Sequence, residues 1–246
     1  MHTVTCRHKP GLVGILSGDL GRWAEWTGSM FKMIFPTGSN YKWVRGNGFA
    51  LNRNIIVRTL LENPHWEWLW FMDDDHVFDG DLVLRLLERD VDIIQPLVST
   101  RKAPFQPYAY EWDATENSYV SMDWPQLQPD GIQQVDAVGC GGMLVRRRVF
   151  EAMSDPWFEE GKTSAEHIGE DLYFCTKARE LGFGIYVDLD NKMGHMGTYH
   201  VWPQRHNGDW ANKLVYNEVS MVVPWSFGRD LAAEEEANGS LQRSGA

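Results

Sequence analysis

Residues 66 to 80 read WEWLWFMDDDHVFDG, in which Trp66, Trp68, Leu69, Trp70, Phe71 and Met72 run directly into Asp73, Asp74, Asp75 and His76. A short apolar run of this kind, preceded by Asn63-Pro64 and closed by Asp79-Gly80, has the length and flanks of a strand buried on both faces. The three consecutive carboxylates at its end repel one another and lose hydration, so they need a cation or a set of hydrogen-bond donors. In an extended backbone successive side chains alternate, which predicts Asp73 and Asp75 on one face with Asp74 turned away. Two hard oxygen ligands on one side of a strand end suit Mg²⁺ or Mn²⁺, above all when a phosphate supplies further oxygens. The competing reading of a bare Asp-x-Asp is a solvated acidic turn that caps the following helix.

Working outward, the flanking segments alternate between two periods. LVGILSG (12–18) reads as a buried first strand, and RWAEWTGSMFKMIF after it has mixed helical spacing that ends near Pro36. YKWVRG reads as a second strand. ALNRNIIVRTLLEN follows as a helix with Leu51, Ile55, Ile56, Leu60 and Leu61 largely on one face, ended by Asn63-Pro64. After the Trp-rich strand, DGDLVLRLLERD reads as a helix whose first turn carries Asp79 and Asp81, and DIIQPLVS as a fourth strand. Residues 103–136, rich in Pro, Tyr, Trp and Gln, read as hairpins and loops fit to line a groove for an acceptor. VDAVGCGGMLVRRRVFEAM gives a glycine-rich turn, a strand and a helix start. EDLYFCTKARELGF reads as a helix with Leu172, Cys175 and Leu181 inward and Gly182 at its C-terminal end, and GIYVDLD as the last strand. This alternation predicts an α/β fold: a mainly parallel, Rossmann-like sheet flanked by helices, with ligands at the carboxyl ends of its strands.

Composition bounds the function. With 246 residues, 43% of them hydrophobic and 13% aromatic, the chain can bury a sizeable core as one large domain. We expect that domain to span residues 1–227, with an acidic, then Gly/Ser-rich tail over 228–246 held loosely. The 23 basic against 34 acidic residues leave a formal charge of -11, which disfavours a broad grip on phosphate backbones. Three scattered cysteines (Cys6, Cys140, Cys175) indicate neither a disulfide framework nor a zinc knuckle and suit a reducing cytoplasm. No apolar run approaches the roughly 20 residues of a membrane span.

Two further groups carry chemistry. Glu170 and Asp171 open the predicted helix 170–181, where the helix dipole alone favours acids. Their functional reading is a general base that takes a proton from an acceptor hydroxyl. In DNKMGHMGTYH, His195 follows the last predicted strand between two glycines. Imidazole serves Mn²⁺ better than Mg²⁺, so a histidine completing an aspartate site leans toward manganese; His200 and His206 compete for that role.

Taken in order, WLWFMDDDHVF, VGCGGMLVRRRVFE, GEDLYFCTKARELGFGIYVD and the later GH resemble a nucleotide-sugar glycosyltransferase of the GT-A fold, closest to family 2. The resemblance implies a UDP- or GDP-linked sugar donor, a divalent metal (Mn²⁺ or Mg²⁺) bridging its phosphates, and sugar transfer to an acceptor hydroxyl. Under it, Asp73 matches the first aspartate of the DxD motif and Asp75 the metal-binding second, with Asp74 between them. Asp171 matches the general base of inverting members, with Glu170 its neighbour, and His195 resembles a third metal ligand. Asn52 to Asn54 look like the element that opens the helix before the DxD strand, which sets Arg53 and Asn54 against the nucleotide. Ser17 and Asp19 occupy the region after the first strand where the nucleotide is held.

The N-terminal strand lacks the family's uridine signature, and no processive motif follows, so a single transfer to a glycan or a protein is expected. A modified DNA base is a weaker acceptor candidate, supported by the local cations of Arg146 to Arg148 and of WPQRHNGDWANK. Trp112, Trp124, Gly141 and Gly142, with Tyr108 and Tyr110, mark the expected acceptor region. A metal-dependent nucleotidyltransferase, for which SGDLGRW is a poor phosphate loop, and a non-catalytic sugar- or nucleotide-binding module are the alternatives.

Overall fold

The computed structural model describes residues 2–18, 24–101, 104–162, 167–197, 200–216 and 219–226. The four strands expected in the first hundred residues are present as Leu12–Ser17, Asn40–Arg45, Trp68–Asp73 and Ile93–Leu97. They belong to a seven-stranded sheet in the order Ile132–Val135, Ile185–Lys192, Ile93–Leu97, Leu144–Arg146, Trp68–Asp73, Leu12–Ser17, Asn40–Arg45. The sheet is mainly parallel. Leu144–Arg146 runs against both of its neighbours, and the edge strand Ile132–Val135 runs against Ile185–Lys192.

The Trp-rich strand is central, and its alternation builds both layers of the core. Leu69 and Phe71 pack with Ile56, Val57 and Leu60 of the Phe49–Glu62 helix and with Phe174 and Ala178 of the Glu170–Glu180 helix. Trp68, Trp70 and Met72 point the other way, against Trp26 and Met30 of the Ala24–Lys32 helix and Leu82, Val83 and Leu86 of the Leu82–Glu88 helix. All five side chains from Trp68 to Met72 are fully buried, which at about 25 cal/mol per Å² makes this strand a major source of hydrophobic stabilisation. Gly11 is needed here, because a Cβ on it would stand 2.2 Å from Trp68 Cδ2.

The Phe49–Glu62 helix differs from its predicted face. Leu51 is 49% exposed, while Asn52, Arg53 and Asn54 are buried, because the first turns of this helix abut other polar groups and only the later turns meet the apolar core. At its far end Arg147 donates to the carbonyls of Leu60, Leu61, Asn63 and Trp66, satisfying groups that a helix terminus leaves open. Arg146 binds the carbonyls of Leu87 and Val91, and Arg148 pairs with Asp92. The basic run 146–148 is therefore committed to internal acceptors at the amino end of the Trp68–Asp73 strand. The helix predicted from Asp79 begins only at Leu82, so Asp79 and Asp81 precede its first turn; Asp81 is the N-cap residue without a side-chain capping bond, and both pair with Arg85. Leu181, expected inward, is 50% exposed at the helix end, just before Gly182 takes a left-handed φ of 85°.

The middle region forms the expected hairpin, Ala109–Asp113 with Ser118–Ser121. A second, unpredicted sheet of five strands runs Val219–Pro224, Asp209–Tyr216, His200–His206, Gly194–Met196, His76–Val77. Its central hairpin turns at Asn207 and Gly208, both with positive φ (54° and 88°), the backbone that two-residue hairpin turns require. Among the described residues no helix is long and apolar enough to cross a membrane. Asp19 and the tail 228–246 lie outside the described residues.

Candidate active site

The Trp68–Asp73 strand ends at the carboxyl edge of the sheet, where Asp73 pairs with Leu16 of the neighbouring strand. There the backbone turns through Asp74 and Asp75 and resumes as His76–Val77, which has left the main sheet for the second one. The expected alternation across Asp73, Asp74 and Asp75 stops at this turn, and the two outer aspartates part company. Asp73 Oδ1 lies 3.5 Å from Arg53 Nη2. Asp75 instead joins two histidines: ligand atoms of Asp75, His76 and His195 all lie within 4.8 Å of one another.

His76 was not assigned a role by its sequence context, yet it is a central member of this group. It and His195 are register partners on adjacent antiparallel strands, and their rings stack with centroids 4.5 Å apart and planes 12° from parallel. Asp75 Oδ1 lies 3.0 Å from His76 Nδ1, and Asp75 Oδ2 lies 3.3 Å from His195 Nε2. His195 Nδ1 stands 3.1 Å from the Ser99 carbonyl. The buried ring of His195 thus faces two acceptors, and burial pushes its pKa down, which disfavours the second proton it would need to serve both. Burial alone would raise the Asp75 carboxyl, but its hydrogen bonds with His195 and His76 hold it well below the usual carboxylate range. The two competing histidines are placed elsewhere: His200 lies 3.7 Å from Glu25, and His206 is exposed at the turn of the second sheet.

These groups line a cavity of about 640 Å³ at the carboxyl end of the sheet. Ser17, Arg53, Asp73, Asp74, Asp75, Gly141, Glu170, Asp171 and His195, all expected at the site, border it together with His76, Gln95, Arg101 and Tyr108. Gly141 forms part of the wall because nothing larger fits: a Cβ there would stand 2.7 Å from His76 Cε1 and 3.3 Å from Asp73 Oδ2. Ser17 Oγ accepts a hydrogen bond from the Trp43 indole at 2.7 Å.

Also bordering the cavity, Arg53 is buried between two carboxylates, with Nε 3.1 Å from Glu170 and Nη2 3.5 Å from Asp73. It ties the first turns of the Phe49–Glu62 and Glu170–Glu180 helices to the strand end. Asp171 opens the second of these helices beside Glu170. Burial first, and the Glu170 charge second, push its carboxyl up to about 6, against the Leu172 amide that donates to it at 2.8 Å. Burial also raises the Tyr108 hydroxyl to about 12, helped by the charges of Asp171 and Asp75. That phenol is a hydrogen-bond donor at neutral pH.

Four expected site residues lie away from the cavity. Asn54 is turned into the protein, where its amide accepts from the Trp157 and Phe158 amides (both 3.0 Å) and donates to the Phe158 carbonyl (2.7 Å), so it holds backbone rather than a nucleotide. Trp124 is fully buried, donates to the Phe105 carbonyl and packs beside Trp210, so it offers no stacking surface. Trp112 packs edge-on against Tyr119 in the hairpin. Gly142 lies one residue past the wall, with φ 85° and its carbonyl bound by the Trp70 indole.

A family model described as "Glycosyltransferase like family 2" matches residues 46–209, more than half of the chain. This chain belongs to that family. It is a transferase, and the strand-end carboxylates sit where its fold gathers ligands. Among solved structures it is similar to protein A197 from STIV, at 19% identity and TM-score 0.55, covering 85% of this chain and 95% of that one. It is also similar to GalNAc-T7 solved with UDP, GalNAc and Mn²⁺, at 14% identity and TM-score 0.52, covering 81% of this chain but only 44% of that one. Both likenesses support the GT-A fold. No curated protein matches the chain by sequence.

Proposed function

We propose that this glycosyltransferase is metal-dependent and inverting, moving a sugar from a UDP- or GDP-linked donor to an acceptor hydroxyl with Asp171 as general base. The observation that carries this reading is the meeting, in one cavity, of an Asp75–His76–His195 ligand group and a carboxyl at Asp171 raised to about 6. The donor set fits a divalent cation: one carboxylate and two imidazoles converge, and His195 faces two acceptors with a single proton to give. Nitrogen ligands favour Mn²⁺ over Mg²⁺. When bound, such an ion neutralises the charge that builds on a diphosphate leaving group.

The chain's own residues supply the rest. Asp171 takes the acceptor proton as the new bond forms, and a carboxyl with a pKa near 6 is ionised at neutral pH yet basic enough to do so. Glu170, fixed by Arg53, keeps a negative charge next to it. Tyr108 offers its protonated hydroxyl between the two ends of the cavity. Phe49, 59% exposed, borders the same cavity and adds an apolar surface to it.

A glycan or protein hydroxyl is the favoured acceptor. A modified DNA base is less favoured, because the arginines of 146–148 are occupied by internal carbonyls and carboxylates and the net charge is -11. A cytoplasmic location is part of this proposal and rests on the sequence, whose three scattered cysteines form no disulfide framework pattern. The test is a panel of UDP- and GDP-sugars incubated with the protein and Mn²⁺, following nucleotide release with and without chelator. Release of UDP or GDP that stops on chelation is expected; a panel in which no donor binds or turns over would sink the proposal.

A further inference from the structure

The carboxylate at the heart of the ligand group is already engaged by a cation of the chain. Asp75 Oδ2, which faces His195 Nε2 at 3.3 Å, also receives Arg101 Nη1 at 2.5 Å. Oδ1 of the same carboxylate faces His76. An ion held jointly by Asp75 and His195 would take Oδ2, and that is the atom on which the guanidinium sits. Arg101 lies four residues beyond the Ile93–Leu97 strand and is 46% exposed, whereas the Asp75 side chain is 19% exposed. The arginine can withdraw into solvent at little cost, and the aspartate cannot.

We propose that Arg101 is a built-in surrogate for the metal: it neutralises Asp75 in the metal-free protein and must leave Oδ2 before a divalent cation can be bound. A guanidinium and a divalent cation at contact distance of one carboxylate oxygen repel each other strongly, so the two compete for Oδ2 and binding of the ion drives Arg101 off. Arg101 therefore lowers the affinity for metal while protecting the fold from an uncompensated charge at Asp75. The inference rests on the proposed metal site, and it adds a residue outside that ligand set which sets the site's affinity.

The experiment is titration of Mn²⁺ alone, by calorimetry, into the wild-type protein and into the Arg101→Gln, Arg101→Lys and Asp75→Asn variants, each checked for folding by circular dichroism. Arg101→Gln should bind Mn²⁺ about three- to fivefold more tightly than wild type, the upper part of the range expected when a partly exposed ion pair no longer competes. Arg101→Lys, which keeps the charge, should stay within about twofold of wild type, and Asp75→Asn should not bind. Equal or weaker binding by Arg101→Gln, with wild type binding normally, would overturn the surrogate role and leave the metal site standing. Absence of Mn²⁺ binding by wild type and Arg101→Gln alike would overturn both. A crystal structure of the wild-type protein loaded with Mn²⁺ gives a second measurement that needs no variant. Arg101 should have left Asp75 Oδ2; an ion on Asp75 with the guanidinium still bonded to that oxygen contradicts the proposal.

Discussion

Two carboxyl groups that border one cavity are driven in opposite directions. Asp75 lies among imidazoles and a guanidinium, and its hydrogen bonds hold it ionised far below the usual range. Asp171 lies beside Glu170 at the start of a helix, and burial with a like charge raises it to about 6. The residue type is the same, but the neighbours differ, and under the proposed mechanism they divide the work: one carboxylate holds a cation and the other accepts a proton.

The sharpest way to break this division is to exchange the two sites' losses. Asp171→Asn should lower transfer by about 10²- to 10⁴-fold, the usual contribution of a general base, while donor binding in the presence of Mn²⁺ stays near wild type. Asp75→Asn should instead abolish metal-dependent donor binding. Binding titrations run beside turnover would show it, and loss of donor binding in the Asp171 variant would mean that its role is structural.

A smaller effect concerns pH. Because Asp171 must be ionised to act, kcat/KM should fall below about pH 6, with an acid limb near that value that disappears from the residual activity of Asp171→Asn. The sign for stability is opposite. The folded pKa lies above the unfolded value of roughly 3.9, so the ionised group costs the fold stability as pH rises from about 4 to 6. Asp171→Asn should therefore melt at a higher temperature than wild type at pH 7.5, and a lower melting temperature there would contradict the assignment.

The least of the expected effects sharpens the Asp75 side. Gly141→Ala places a methyl group 2.7 Å from His76 Cε1, so the ring must shift. Mn²⁺ affinity should fall about tenfold, on the scale of a disturbed ligand shell. Unchanged affinity would remove His76 from the ligand group.

What could be read from the sequence follows how local each signal was. The Trp68–Asp73 strand, the strand–helix alternation around it and the Glu170–Asp171 helix start all rest on contiguous patterns, and each is where its pattern put it. Asp73 and Asp75 both border the cavity, as expected, but they take different partners, which alternation along a strand does not predict. The turn at Asp74 and Asp75 carries the chain out of one sheet and into another, and no local period announces a change of sheet. His76 was missed for the same reason, since its partner His195 arrives from a distant strand. The second sheet did carry a local signal that went unread: Asn207-Gly208 between two alternating segments is a strong hairpin cue. Asn54 and Trp124 show the reverse, in which residue chemistry suited to ligands serves backbone and core.

The pairing of His76 with His195 also bears on how the protein comes into being. Asp75 and His195 are 120 positions apart, and the strands that align them close the longest loop in the site. Arg53 and Arg101, the partners of Asp73 and Asp75, are made early, but His195 arrives only with the Gly194–Met196 strand. In the proposed site, capture of a metal would wait for the strand pairing that sets His195 beside His76. A partly made or misfolded copy would be unable to hold the ion, so competence for chemistry reports that folding is complete.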